Sequence, residues 1–118
     1  MTHKTEKIID FRGSSLGDIK DDKIFTDEAR REAGHQLSQV QQGGEPDHWK
    51  PFNEVGPGTK EIIIDLGDGW FRVMYVSKFL EAIYVLHAFK KKTNATSKQD
   101  KDIATARYKD LINERKKK

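Results

Sequence analysis

"TKEIIIDLGDGWFRVMYV" (residues 59–76), followed at once by "SKFLEAIYVLHAFKKKT" (77–93), is the stretch whose reading decides the fold. The runs "TKEIIIDL" and "WFRVMYV" are apolar and β-branched, and they flank Gly67-Asp68-Gly69, a tight-turn signal between two strands. A third run, "AIYVLHAF", follows after the short link from Ser77 to Glu81. Together they predict a meander of antiparallel strands. Its last member ends oddly: His87 interrupts the apolar run, and Lys90, Lys91 and Lys92 come directly after it.

Antiparallel pairing across a two- or four-residue connection makes paired residue numbers sum to an odd value. Even-numbered Arg72 then shares a sheet face with odd-numbered His87, Phe89 and Lys91. Val73 and Tyr75 fall on the other face with Tyr84, Leu86 and Ala88. That second set is the more apolar, so it is the side expected to pack on helices. Arg72 and its neighbours are expected on a face left open.

Outward from this meander, "KIIDF" (7–11) reads as an opening strand ended by Gly13, and "SSLGDIKDDKIF" (14–25) as a short, poorly regular helix. From Thr26, which can cap, Ala29, Ala33, Leu37 and Val40 form one apolar stripe of a helix that Gly43 stops. Residues 44–58 hold three prolines and several turn residues and read as loop. A last helix starts after Ser97, with Asp100 at the capping-box position and Ile103, Ala104, Tyr108, Leu111 and Ile112 on its apolar face. Trp49 and Trp70 are expected to pack at the borders of the sheet. The order strand, two helices, three strands, helix predicts an α+β fold: a small, mostly antiparallel sheet, N-terminal helices on one face and a C-terminal helix.

The chain has 118 residues, a length that suits one domain over 1–118, with a basic tail at about 113–118. Hydrophobic and charged residues each make up 35%. There is no apolar run of membrane-spanning length and no apolar stretch of signal-peptide length at the start, so a cytoplasmic protein is expected. The absence of cysteine removes disulfides and thiolate metal sites and fits a reducing compartment. From Lys90 to Lys118, eleven Lys/Arg face four Asp/Glu, a balance of +7, which leaves −4 on residues 1–89 out of the total of +3. A basic end on an acidic body points to a polyanion, unless the helix and its lysines are merely solvated.

The face that gathers Arg72, His87, Phe89 and Lys91 suits RNA. A guanidinium forks onto phosphate, an ammonium adds a point charge, and an aromatic ring stacks on an unpaired base. An imidazole moves a proton near neutral pH, as cleavage by a ribose 2′-hydroxyl requires. Each piece also has a plainer reading: a structural strand histidine, an Arg paired with a carboxylate, a solvated strand end. His3, His35, His48 and His87 show no ligand spacing, so neither metal nor cofactor is expected.

The segments "WKPFNEVGPGTKEIII", "WFRVMYV" and "AIYVLHAFKKKT" resemble the phage-derived, HigB-like branch of the RelE toxins, the toxic halves of bacterial type II toxin–antitoxin pairs. The resemblance runs from Trp49 to Thr93, with "VLHAFKKKT" its most specific part. It implies a RelE-like fold and a metal-independent endoribonuclease that cuts mRNA on the ribosome, neutralised by a cognate antitoxin, often of helix-turn-helix type. By position, Arg72 matches the strand arginine near the scissile phosphate and His87 the strand histidine. Lys91, flanked by Lys90 and Lys92, lies at the basic residue after the last strand. The family's second strand reads Glu-Leu-Arg or Glu-Ile-Arg, whereas this chain has Glu61-Ile62-Ile63. One basic residue is therefore missing; Lys60 faces the opposite side of a regular strand, and Lys50 is the candidate to replace it. The alternative expectation is a weak or inactive relative that binds RNA or a protein.

Overall fold

The computed structural model describes residues 6–117. In chain order they form β1 (Ile8–Phe11), α1 (Ser15–Lys20), α2 (Asp27–Gln41), β2 (Trp49–Pro51), β3 (Thr59–Leu66), β4 (Gly69–Val76), β5 (Ala82–Lys91) and α3 (Lys98–Lys116). The strands make one five-stranded sheet in the order β1-β5-β4-β3-β2. Only β1 and β5 run parallel; the other pairs are antiparallel, so the α+β expectation holds. His3 and Lys118, both named in the sequence reading, lie outside the described residues. Among those residues, no helix is long and apolar enough to cross a membrane.

Capping sets where the two longer helices begin. Thr26 Oγ1 accepts the Ala29 amide at 3.2 Å, and Ser97 Oγ accepts the Asp100 amide at 3.1 Å. The α2 stripe then buries Ala29, Ala33, Leu37 and Val40 against Ile62, Ile64, Phe71, Val73, Tyr75, Ile83 and Val85, with Phe25 packed on Phe71 at 5.2 Å between ring centroids. Each such fully buried aliphatic or aromatic side chain contributes about 1.5–3 kcal/mol. This is the first core.

The second face is not open, contrary to expectation. Ala104, Tyr108 and Leu111 of α3, with Phe52 and Val55, bury Met74, Val76, Tyr84, Leu86 and Phe89 in a second core. A β-bulge explains the error. Paired numbers sum to an odd value as far as Met74–His87, then to an even value at Tyr75–Val85, so Leu86 is an extra residue on β5. The bulge transfers Tyr84 and Leu86 from the α2 side to the α3 side and supplies the apolar floor on which α3 docks. Ala88 stays with Val73 as expected.

One smaller correction concerns the segment before β3, while the helical reading of the C-terminal segment holds. β2 lies inside the segment read as loop; three residues ending at a proline are too short for an alternation to be seen. The basic tail is helical through Lys116, because α3 continues to its basic last turn, where cations suit the helix dipole.

Residues 52–58 reach the second core through close contact with Tyr108. Its hydroxyl donates to Pro57 O at 2.7 Å, and a Cβ placed on Gly56 would meet the ring at 2.5 Å. Gly56→Ala should therefore lower stability by about 1–3 kcal/mol, the usual cost of overpacking. Tyr108→Phe should cost about 1 kcal/mol through the lost hydrogen bond. Urea denaturation midpoints check both; an unshifted midpoint for Gly56→Ala would show that this segment does not rest on α3.

Candidate functional site

The pairing of β4 with β5 places Arg72 opposite Phe89, Met74 opposite His87 and Trp70 opposite Lys91. On the other side of β4, Ile63 lies opposite Arg72 and Glu61 opposite Met74, while Lys50 of β2 lies opposite Glu61. One face of the sheet thus carries Lys50, Glu61, Ile63, Asp65, Trp70, Arg72, His87, Phe89 and Lys91 together. The parity expectation holds for Arg72, His87, Phe89 and Lys91.

Their surroundings differ from a row of exposed cations. Arg72 is 7% exposed; its Nη1 donates to Asp65 Oδ1 at 2.6 Å and to Phe71 O at 2.9 Å, and its Nε lies 3.8 Å from Glu61 Oε1. Glu61 is fully buried. Its Oε2 accepts from Thr96 Oγ1 at 3.1 Å, and its Oε1 sits 3.5 Å from Lys50 Nζ without forming a hydrogen bond. Lys91, also buried, donates to Asn94 O at 2.6 Å, and burial followed by the charge of Arg72 pushes its ammonium below the ordinary lysine value. Two cations, Lys50 and Arg72, therefore flank one buried carboxylate, and Thr96 of the segment 92–97 donates to it.

His87 is 5% exposed and stacks on Phe89, ring centroids 4.8 Å apart. Phe89 is consequently a core residue whose ring already has a partner. His87 Nε2 lies 2.7 Å from Asp100 Oδ1, and Nδ1 has no partner. An ionised carboxylate only accepts, so Nε2 carries the proton in this pair. Burial lowers the His87 pKa, opposed by the hydrogen bond and charge of Asp100; Arg107 lowers it further and Asp18 raises it. A cavity of about 610 Å³ opens beside His87, bordered by Asp18, Lys23, Lys90, Lys92 and Asp100. Lys90 and Lys92 are exposed, and Lys90 also reaches over the Phe71 ring at 5.5 Å. Lys50 is half-exposed and lies 5.7 Å from the Phe52 ring.

Glu61, Asp65, Thr96 and Asp100 are members of this cluster that the sequence reading did not include. The pairing parity of the β3–β4 hairpin could have placed Glu61 and Asp65 beside Arg72. Asp100 showed only its capping signal, which hides its contact with β5. Among the described residues, no group of three or more His, Cys, Asp or Glu is arranged to hold a metal ion.

The lowered pKa of His87 has a signed consequence. Between its folded value and the ordinary 6.5, the unfolded chain binds a proton that the folded chain does not. The contribution of His87 to stability is present above pH 6.5 and is lost as pH falls from there through the folded value. Thermal melts above and below that pH should show the parent losing stability faster on acidification than His87→Gln. Parallel pH dependences for the two proteins would contradict this assignment.

Comparison with known families gives one match. The model described as "Phage derived protein Gp49-like (DUF891)" covers residues 23–109, from the approach to α2 into the second half of α3. That range is well over half the chain and contains Lys50, Arg72, His87, Phe89 and Lys90 to Lys92. Comparison with curated proteins gives no match. The chain belongs to the phage-derived Gp49-like family.

Proposed function

We propose that this protein is the toxin of a type II toxin–antitoxin pair of RelE/HigB-like kind, an endoribonuclease that cleaves mRNA on the ribosome and is neutralised by a cognate antitoxin. The observation that carries the proposal is the β4–β5 register, which puts Arg72, His87 and Lys91 on one face, with a cavity rimmed by Lys90 and Lys92 beside His87. Membership of a phage-derived family and the basic C-terminal segment support it.

In the proposed reaction a ribose 2′-hydroxyl gives its proton to a base and its oxygen attacks the adjacent phosphorus. The bond to the 5′-oxygen breaks and that oxygen takes a proton, leaving a 2′,3′-cyclic phosphate and a 5′-hydroxyl. His87, neutral near pH 7 because burial lowers its pKa, is the proton-transfer candidate. Arg72 and Lys91 offset the charge that grows on the phosphoryl oxygens. No step requires a metal.

A binding module without cleavage is the second reading. It is favoured by Asp65 and Glu61 around Arg72, and by Ile63 where the RelE toxins that the chain resembles carry a basic residue. Induced expression with and without the reading frame next to this gene, with mapping of mRNA ends, separates the two. The toxin reading expects growth arrest relieved by the neighbour and 5′-hydroxyl ends. With purified protein and ribosomes, cleavage should persist in excess chelator; magnesium-dependent cuts leaving 5′-phosphates would refute the mechanism.

Arg72→Ala is a poor probe, since removing one partner of a buried ion pair costs about 3–5 kcal/mol. Arg72→Lys keeps the charge beside Glu61 and loses the fork. It should lower the cleavage rate on the order of 10²-fold while the protein stays folded by circular dichroism.

A further inference from the structure

Trp70 is the only aromatic residue among the exposed large apolar side chains of the described residues, at 39% exposure. Its place on the sheet separates it from the others: Ile8 lies on the edge strand β1, Leu16 on α1 and Leu80 in the link before β5, whereas Trp70 shares the face of Arg72 and Lys91. It stands opposite Lys91 on one side and Asp65 on the other. Ile63, opposite Arg72, is its diagonal neighbour on that face, within reach of a large ring, and is only partly buried. α3 does not seal this end of the sheet, since Asp65, directly opposite Trp70, keeps 47% side-chain exposure.

We propose that Trp70, with Ile63 beside it, is a stacking platform for one unpaired nucleobase of single-stranded RNA. This rests on the RNA-directed function proposed above and adds a binding residue that the catalytic assignment does not use. An indole face offers a base a partner without regard to its identity. The apolar Ile63 next to it suits a ring and not a phosphate, so the position that lost a basic residue becomes part of the floor under the base.

Charge complementarity selects nucleic acid over an apolar protein segment. Lys91 stands directly opposite Trp70, and Arg72 and the half-exposed Lys50 lie farther along the same face, where phosphates flanking a stacked base would run. The acidic residue opposite Trp70, Asp65, is already engaged by Arg72 at 2.6 Å.

The test uses a single-stranded oligouridine with 2′-O-methyl riboses, which binds but cannot be cut by 2′-hydroxyl attack. In a Trp49→Phe background, Trp70 is the only indole and its emission reports directly. Titration should quench and shift that emission. Trp70→Ala should weaken binding about tenfold or more, the loss expected for one stacked base, whereas Trp70→Tyr retains most of the affinity. Trp70→Ala loses some buried apolar area and should melt below the parent, so Trp70→Tyr, which keeps a ring there, is the control that separates stacking from stability.

Oligouridine that binds with unchanged Trp70 emission and equal affinity for Trp70→Ala overturns the platform and leaves the RNA-directed function standing. Absence of any binding by the parent overturns the platform alone, because the proposed cleavage takes place on the ribosome and is tested there. An emission that depends on protein concentration without RNA, together with a dimer that Trp70→Ala turns into monomer, overturns the platform in favour of a second copy of the chain.

Discussion

Glu61 carries a charge that water does not reach, and two strands and a loop are arranged to tolerate it. An ionised carboxylate taken out of water costs several kcal/mol even after relaxation, unless cations and donors compensate. Lys50 approaches from β2, Arg72 from β4 and the Thr96 hydroxyl from the segment before α3. Of these, Thr96 alone forms a hydrogen bond with it; the two cations stand slightly too far and act by charge. Glu61 therefore ties the strand end that carries three lysines to the middle of the sheet. It also lets Arg72 and Lys91 sit close together without mutual repulsion deciding the matter.

The bulge at Leu86 is the second condition. Without it, β5 would present Tyr84 and Leu86 to α2, and α3 would have no continuous apolar surface to rest on. With it, both halves of β5 feed the same side. The lower half offers Tyr84 and Leu86 to α3, and the upper half offers His87, Phe89 and Lys91 to the site. α3 in turn delivers Asp100 to His87 and Arg107 to Leu86 O. One irregular residue thus couples the second core to the arrangement around the imidazole.

The sheet and its helices were legible because their signals are local. Gly67-Asp68-Gly69, the α2 stripe and the two caps each act within a few residues. Parity arithmetic carried the reading one step further and brought Arg72, His87, Phe89 and Lys91 to one face. It failed at Tyr84 and Leu86, because an extra residue in a strand leaves no mark in an apolar run. Burial was the larger blind spot. Whether Arg72 meets water or Glu61 depends on where α3 and residues 92–97 come to rest, and that is decided by contacts distant in sequence. β2 escaped notice because three residues pair only where β3 offers an edge.

Burial divides the cations into two kinds with different physical work. Exposed Lys90 and Lys92 and half-exposed Lys50 attract a polyanion from a distance, an effect that salt screens within about 10 Å at 0.1 M. Arg72 and Lys91 do little at long range, but a phosphate reaching them meets charges in a medium of lower dielectric, where each interaction is stronger. Both are already held, Arg72 by Asp65 and Lys91 by Asn94 O, so an incoming phosphate gains only the difference between its contacts and those it displaces. Arg72 Nε has no hydrogen-bonding partner, but it is buried 3.8 Å from Glu61 Oε1 and does not face an incoming phosphate. With Ile63 adding no charge, the inner site depends on few donors, and orientation of the chain by its surface contacts becomes correspondingly more important.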